Sequence, residues 1–136
     1  MIGRVLDSTA LIAWSRRTSP YIDAAIWSRA GHTDYIVPIV TTAPALTAAL
    51  AQLPDSAVPV LESLLRMDDV ALVDSLTQGS APGVDEILRA VGPYAEQAVT
   101  AASVVHAARR RGLPVLTANP FPLQQLWSGV EVDLIP

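Results

Sequence analysis

Along this chain, short runs of consecutive apolar residues alternate with longer stretches in which apolar positions recur every three or four residues. The short runs predict strands near Ile2–Leu6, Tyr35–Val40, Val70–Val73 and Leu113–Leu116, and Val130–Ile135 alternates as a half-buried strand does. The longer stretches predict helices. One begins at Ser8, with Ser8 or Thr9 as N-cap and Leu11, Ile12 and Trp14 as its apolar face. A second begins at Ser19-Pro20, runs through Ile22, Ala25, Ile26 and Ala30, and ends at Gly31. Thr41 and Thr42 open a third over Pro44–Leu50, and Val60, Leu61, Leu64 and Leu65 mark a fourth. Val84–Val91 forms a fifth that stops at Gly92-Pro93. A long helix over Tyr94–Arg111 closes on Gly112, and a short one spans Leu123–Trp127. Pro38 requires a sheet edge or a strand end, and Gln78–Gly83 reads as the clearest loop.

Strands separated by helices predict an α/β domain of three α/β/α layers around a largely parallel sheet, formed by residues 1–136 as one unit. Sheets of this kind place their sites at the carboxyl ends of the strands. Asp7, Thr41 and Asn119 each follow a predicted strand and so become the residues to watch.

Composition narrows the chemistry. The chain is 51% hydrophobic and only 16% charged, which excludes a disordered polymer. There are no cysteines, so disulfides, zinc–thiolate sites and cysteine nucleophiles are excluded. With two histidines, His32 and His106, a zinc site has too few ligands, and both read as packing or surface residues. The nine basic residues are all arginine and the net charge is −4, so no overall field steers the chain toward a polyanion. The N-terminal apolar run is too short for a membrane span and lacks a signal-peptide layout, so a cytoplasmic protein without membrane contact is expected.

Each polar candidate carries two readings. Asp7 is an N-cap or buried acid bonded to the amides of the next helix, or a metal or substrate ligand. Asn119 before Pro120 is a turn former or an oxygen ligand. Ser8 and Thr117 are local hydrogen bonders or substrate-binding hydroxyls. Arg109, Arg110 and Arg111 answer the dipole of the long helix or contact phosphate. Asp68-Asp69 reads as a solvated turn, and no phosphate-loop, dinucleotide or serine-hydrolase motif occurs.

Three segments in order resemble the PIN-domain nucleases of VapC type. These are Val5-Leu6-Asp7-Ser8-Thr9-Ala10-Leu11-Ile12, the stretch Ala107–Pro120 ending in Thr117-Ala118-Asn119-Pro120, and the closing Val130–Pro136. The resemblance implies a PIN-like fold in which carboxylates at the strand ends hold Mg²⁺ or Mn²⁺ and cleave RNA. It also implies a homodimer and an antitoxin-like protein partner. Asp7 and Ser8 match the first motif and Thr117 the hydroxyl of the family's T-x-D-P turn, where Asn119 replaces the Asp. The remaining acids are missing: their positions fall at or near Pro44 and at Ala101, with Ala98 the alternative register. Glu96, the one acid of the long helix, lies about 140° around from Ala101.

Metal ligation thus reduces to Asp7 and Asn119, with Ser8 and Thr117 toward substrate. Three functions follow. The first is a non-catalytic or very weak PIN-like domain that binds protein or RNA. The second is an active Mg²⁺- or Mn²⁺-dependent endoribonuclease toxin, completed by acids such as Glu96 or Asp74 or by a second subunit. The third is an α/β oligomer without nucleic-acid contact, for which exposure of Trp14, Trp27 and Trp127 would be the sign.

Overall fold

The computed structural model describes residues 3–16, 22, 39–66 and 71–136. Five parallel strands form one sheet in the order β3-β2-β1-β4-β5: β1 (Arg4–Leu6), β2 (Ile39–Thr42), β3 (Ala71–Asp74), β4 (Val115–Thr117) and β5 (Val132–Leu134). The helices are α1 (Ser8–Ser15), α2 (Ala43–Gln52), α3 (Val58–Leu65), α4 (Ala81–Leu88), α5 (Ala95–Arg111) and α6 (Phe121–Leu126), with a 3₁₀ turn at Gly92–Tyr94. The fold is a three-layer α/β/α sandwich, as the sequence predicts. Among the described residues no helix is long and apolar enough to cross a membrane.

Alternation along the strands divides the core. Leu6, Ile39 and Leu116 point to one face, where they pack with Leu11, Trp14, Leu61 and Leu64 of α1 and α3. Val5, Val40 and Val115 point to the other, where they meet Val84, Ala102, Val105 and Leu123 of α4, α5 and α6. Because side chains alternate across a strand, each three- or four-residue run supplies both cores at once, which is why these strands read as continuous apolar runs.

The strand order has a functional corollary. From β1 the chain builds outward through β2 to β3, then crosses to the far side of β1 to lay down β4 and β5. The order therefore reverses between β1 and β4, and ligand crevices open outside the carboxyl ends of strands at such a point. Asp7 stands there at the end of β1, and Thr117 at the end of β4.

Several local readings change. Helix α1 is capped by Asp7, whose carboxylate accepts from the Ala10 amide at 3.0 Å, rather than by Ser8 or Thr9. Ala81-Pro82-Gly83 is the first turn of α4 rather than the end of a loop, because proline fits a first turn, where its missing N–H is not needed. Leu113 and Pro114 do not join β4. The Leu113 amide turns back to the Ala108 carbonyl at 3.1 Å, sealing the helix end across Gly112, whose φ of 64° suits glycine. The predicted helix from Ser19 to Gly31 and the stretch Tyr35–Pro38 lie outside the described residues apart from Ile22, as do Trp27, His32, Asp34 and Asp68-Asp69. Trp14 is buried in the first core and Trp127 is half-buried, so neither described tryptophan marks an exposed interface.

Candidate functional site at the strand-order reversal

Asp7 is 8% exposed, and its carboxylate is held from three sides. One oxygen, Oδ1, accepts from the Thr9 hydroxyl at 2.6 Å and from the Ala10 amide at 3.0 Å, while Oδ2 accepts from the Thr117 hydroxyl at 2.5 Å. Each threonine is used twice. Thr9 Oγ1 accepts the Ala118 amide at 2.9 Å, and Thr117 Oγ1 accepts the Asn119 amide at 3.0 Å. The two hydroxyls therefore stitch the start of α1 to the turn after β4, with Asp7 as the common acceptor. Burial raises the Asp7 carboxyl above its usual 3.8, opposed by the hydrogen bonds from Thr117, Thr9 and Ala10.

Beside this network lies a cleft of about 240 Å³ between the start of α1, the first half of α5 and the start of α6. Ser8 and Asn119 line it, and so does Ala101, the position at which the resemblance implies an acid. Ala98 and Ala101 both pack against the second core, and of the two Ala101 lines the cleft. Gln97 and Thr100 of α5 complete the polar lining, over a floor that includes Val104 and Leu123. Pro44 faces a neighbouring shallow groove that shares Thr100 with the cleft. Glu96 is exposed and does not line the cleft.

Asp74 is also unable to replace the missing acids. It ends β3 at the far edge of the sheet and is gripped by Arg111, through Nε at 3.1 Å and Nη2 at 2.5 Å, and by Arg110 at 2.8 Å. Burial alone raises the Asp74 carboxyl, but the combined hydrogen bonds and charges of Arg111 and Arg110 outweigh it and hold the group below 3.8. The same contacts answer the question of the arginine run. Arg110 and Arg111 neutralise Asp74, and Arg109 lies over the Trp127 ring at 5.3 Å, so the three serve the fold.

The donor set does not suit a hard divalent ion. Mg²⁺ takes an octahedron of oxygens and is ordinarily held through one or two carboxylates free to ligate it, with waters and substrate phosphates completing the set. The cleft offers one carboxylate, with three of its roughly four acceptor sites already used, and the neutral amide of Asn119. Among the described residues no group of three or more His, Cys, Asp or Glu side chains is placed to hold a metal.

Thr41 joins the fold rather than the site, donating its hydroxyl to the Leu6 carbonyl at 2.8 Å. Sequence reasoning did not find the role of Thr9 or the contribution of Gln97 and Thr100. For Thr9 a signal existed: an Asp bonding two and three residues ahead is the Asx-turn pattern, and Asp7-Ser8-Thr9 has that spacing. Comparison with protein-family models and with curated proteins yields no match.

Proposed function

We propose that this chain is a non-catalytic PIN-like domain whose cleft at the strand-order reversal serves binding rather than metal-dependent hydrolysis. The observation that carries the reading is the state of Asp7. It is the single carboxylate among the described residues that line the cleft, and Thr9, Ala10 and Thr117 occupy it as an internal acceptor. A side chain used in this way holds two strand ends together and has little capacity left for a cation. The positions where the resemblance implies further acids carry Ala101, inside the cleft, and Pro44, outside it. A protein partner is favoured over RNA, because the net charge is −4 and the arginines at the end of α5 are already engaged. A homodimer belongs to the same proposal.

The test is a calorimetric Mn²⁺ titration of wild type and Asp7→Asn, with cleavage of a mixed RNA pool followed in parallel. The expected result is no saturable Mn²⁺ binding and no cleavage above a buffer control for either protein. Micromolar binding and RNA cleavage that both disappear in Asp7→Asn would overturn the reading in favour of an endoribonuclease toxin.

A further inference from the structure

The cleft has a chemistry of its own once metal is set aside. Among the described residues its polar lining is neutral apart from Asp7. Gln97 and Asn119 each present an amide with both donor and acceptor atoms, and Ser8 and Thr100 present hydroxyls. Its floor includes Ala101, Val104 and Leu123, and among the described residues no arginine lines it. Two exposed aromatics are close in the chain to residues of the lining. Tyr94, 69% exposed, precedes Gln97 by one helical turn, and Phe121, 63% exposed, is the chain neighbour of Pro122 on the cleft wall.

Exposed aromatic rings next to an amide-lined recess form the combination by which proteins hold a flat heterocycle: the ring stacks, and the amides pair with donors and acceptors on its edge. Asn and Gln suit this task because their two amide atoms match a paired donor and acceptor on a base. The absence of a cation on the lining argues against a phosphate. Anions bound at surface sites are ordinarily met by Arg, Lys or an array of backbone amides.

We propose that the cleft between the starts of α1 and α6 and the first half of α5 binds an uncharged planar heterocycle of nucleoside size, held by Gln97 and Asn119 and stacked on Tyr94 or Phe121. The proposal rests on the metal-free reading of the cleft, and its test is run in chelator so that the two fail separately. Amide chemical shifts of the full chain are followed during titration with adenosine, cytidine and adenosine 5′-monophosphate.

The expected result is saturable shifts at Ser8, Gln97, Ala101 and Asn119 with at least one nucleoside, and no tighter binding of the monophosphate. Gln97→Ala is expected to weaken binding about tenfold, the effect of one lost hydrogen bond. Tyr94→Ala and Phe121→Ala, at exposed positions where folding is not at stake, are expected to weaken it further in at least one case. Ala101→Phe fills the cleft and is expected to abolish binding in a protein whose circular dichroism is unchanged. Absence of saturable shifts with both nucleosides would overturn the proposal. Tighter binding of the monophosphate would overturn it as well, as would binding unaffected by Gln97→Ala, Tyr94→Ala and Phe121→Ala together. A Mn²⁺ site found by calorimetry would bear on the metal-free reading alone.

Discussion

Thr117 is a side chain whose worth is not apparent from its size. It is fully buried, gives its proton to Asp7 and takes the Asn119 amide, so removing one oxygen leaves two polar groups without their partner. Thr117→Val keeps the shape and should cost about 2–3 kcal/mol, since an unsatisfied buried group costs more than a hydrogen bond gains. Denaturant unfolding with an unchanged slope measures it; a loss below about 0.5 kcal/mol would mean that water replaces the hydroxyl. Asp7→Asn should cost much less. The amide oxygen can still accept from Thr9 and Ala10, and the Thr117 hydroxyl can turn to accept from the new NH₂ group. The pH dependence at Asp7 has a defined sign. With its native carboxyl raised above 3.8, the native state keeps a proton that the unfolded chain releases. Its contribution is therefore complete below that value and declines as pH rises toward the native one. At this scale the sequence named Asp7, Ser8, Thr117 and Asn119, and the structure gathers all four at one place. It did not show that the Thr9 and Thr117 hydroxyls are both committed to Asp7, because the Thr117 bond is a contact between residues 110 apart in the chain.

Among the elements, α4 and α5 approach closely at one point. A Cβ added to Gly83 would lie 2.6 Å from Nε2 of His106. Glycine in a helix interior normally costs up to about 1 kcal/mol relative to alanine. Here the sign should reverse: Gly83→Ala is expected to destabilise by about 1 kcal/mol through overpacking, and to stabilise once His106→Ala has cleared the space. A double-mutant cycle reads the change of sign directly. The end of α5 supplies a second case. Arg110 and Arg111 clamp Asp74 at the tip of β3, and Arg110 is half exposed, so screening limits the pair. Asp74→Asn should cost about 1–2 kcal/mol at neutral pH. Because the native Asp74 carboxyl is held below 3.8, its contribution is present above that value and is lost as pH falls through the native one. The stability gap between wild type and Asp74→Asn should therefore close as pH falls below 3.8 through the native value; a gap that persists would place the effect in packing. Element types were legible because strand runs and helical spacing have different periods. Boundaries were less so. Leu113 belongs to an apolar run but is spent on leaving α5, Pro114 gives the sheet only its carbonyl, which accepts the Val5 amide at 2.9 Å, and Ala81-Pro82-Gly83 has loop composition but opens a helix.

For the whole molecule, the sequence carried the layer architecture but not the strand order. Alternating elements predict a parallel sheet, whereas nothing local states that β4 pairs with β1 rather than with β3. That pairing makes the cleft, so the site was legible as residues and not as a place. Ala101, where the resemblance implies an acid, was legible as a position in the chain, and the geometry puts it on the cleft wall.

The same strand order sets a schedule for synthesis. β1 is central, yet its partner β4 lies about as far along the chain as a neighbour can, and the Asp7–Thr117 stitch spans 110 residues. As the polypeptide leaves the ribosome, β1 emerges before the other strands and waits with one edge unpaired until β4 has followed. Once residues up to about Gly112 have cleared the ribosome, the chain would hold β1, β2 and β3 together with every described helix but α6, and still present Val5 and Leu6 as an open strand edge. This small domain therefore commits to its native state late and all at once. Its principal hazard in the cell is the period before residue 117 arrives, when that edge is available to any other strand.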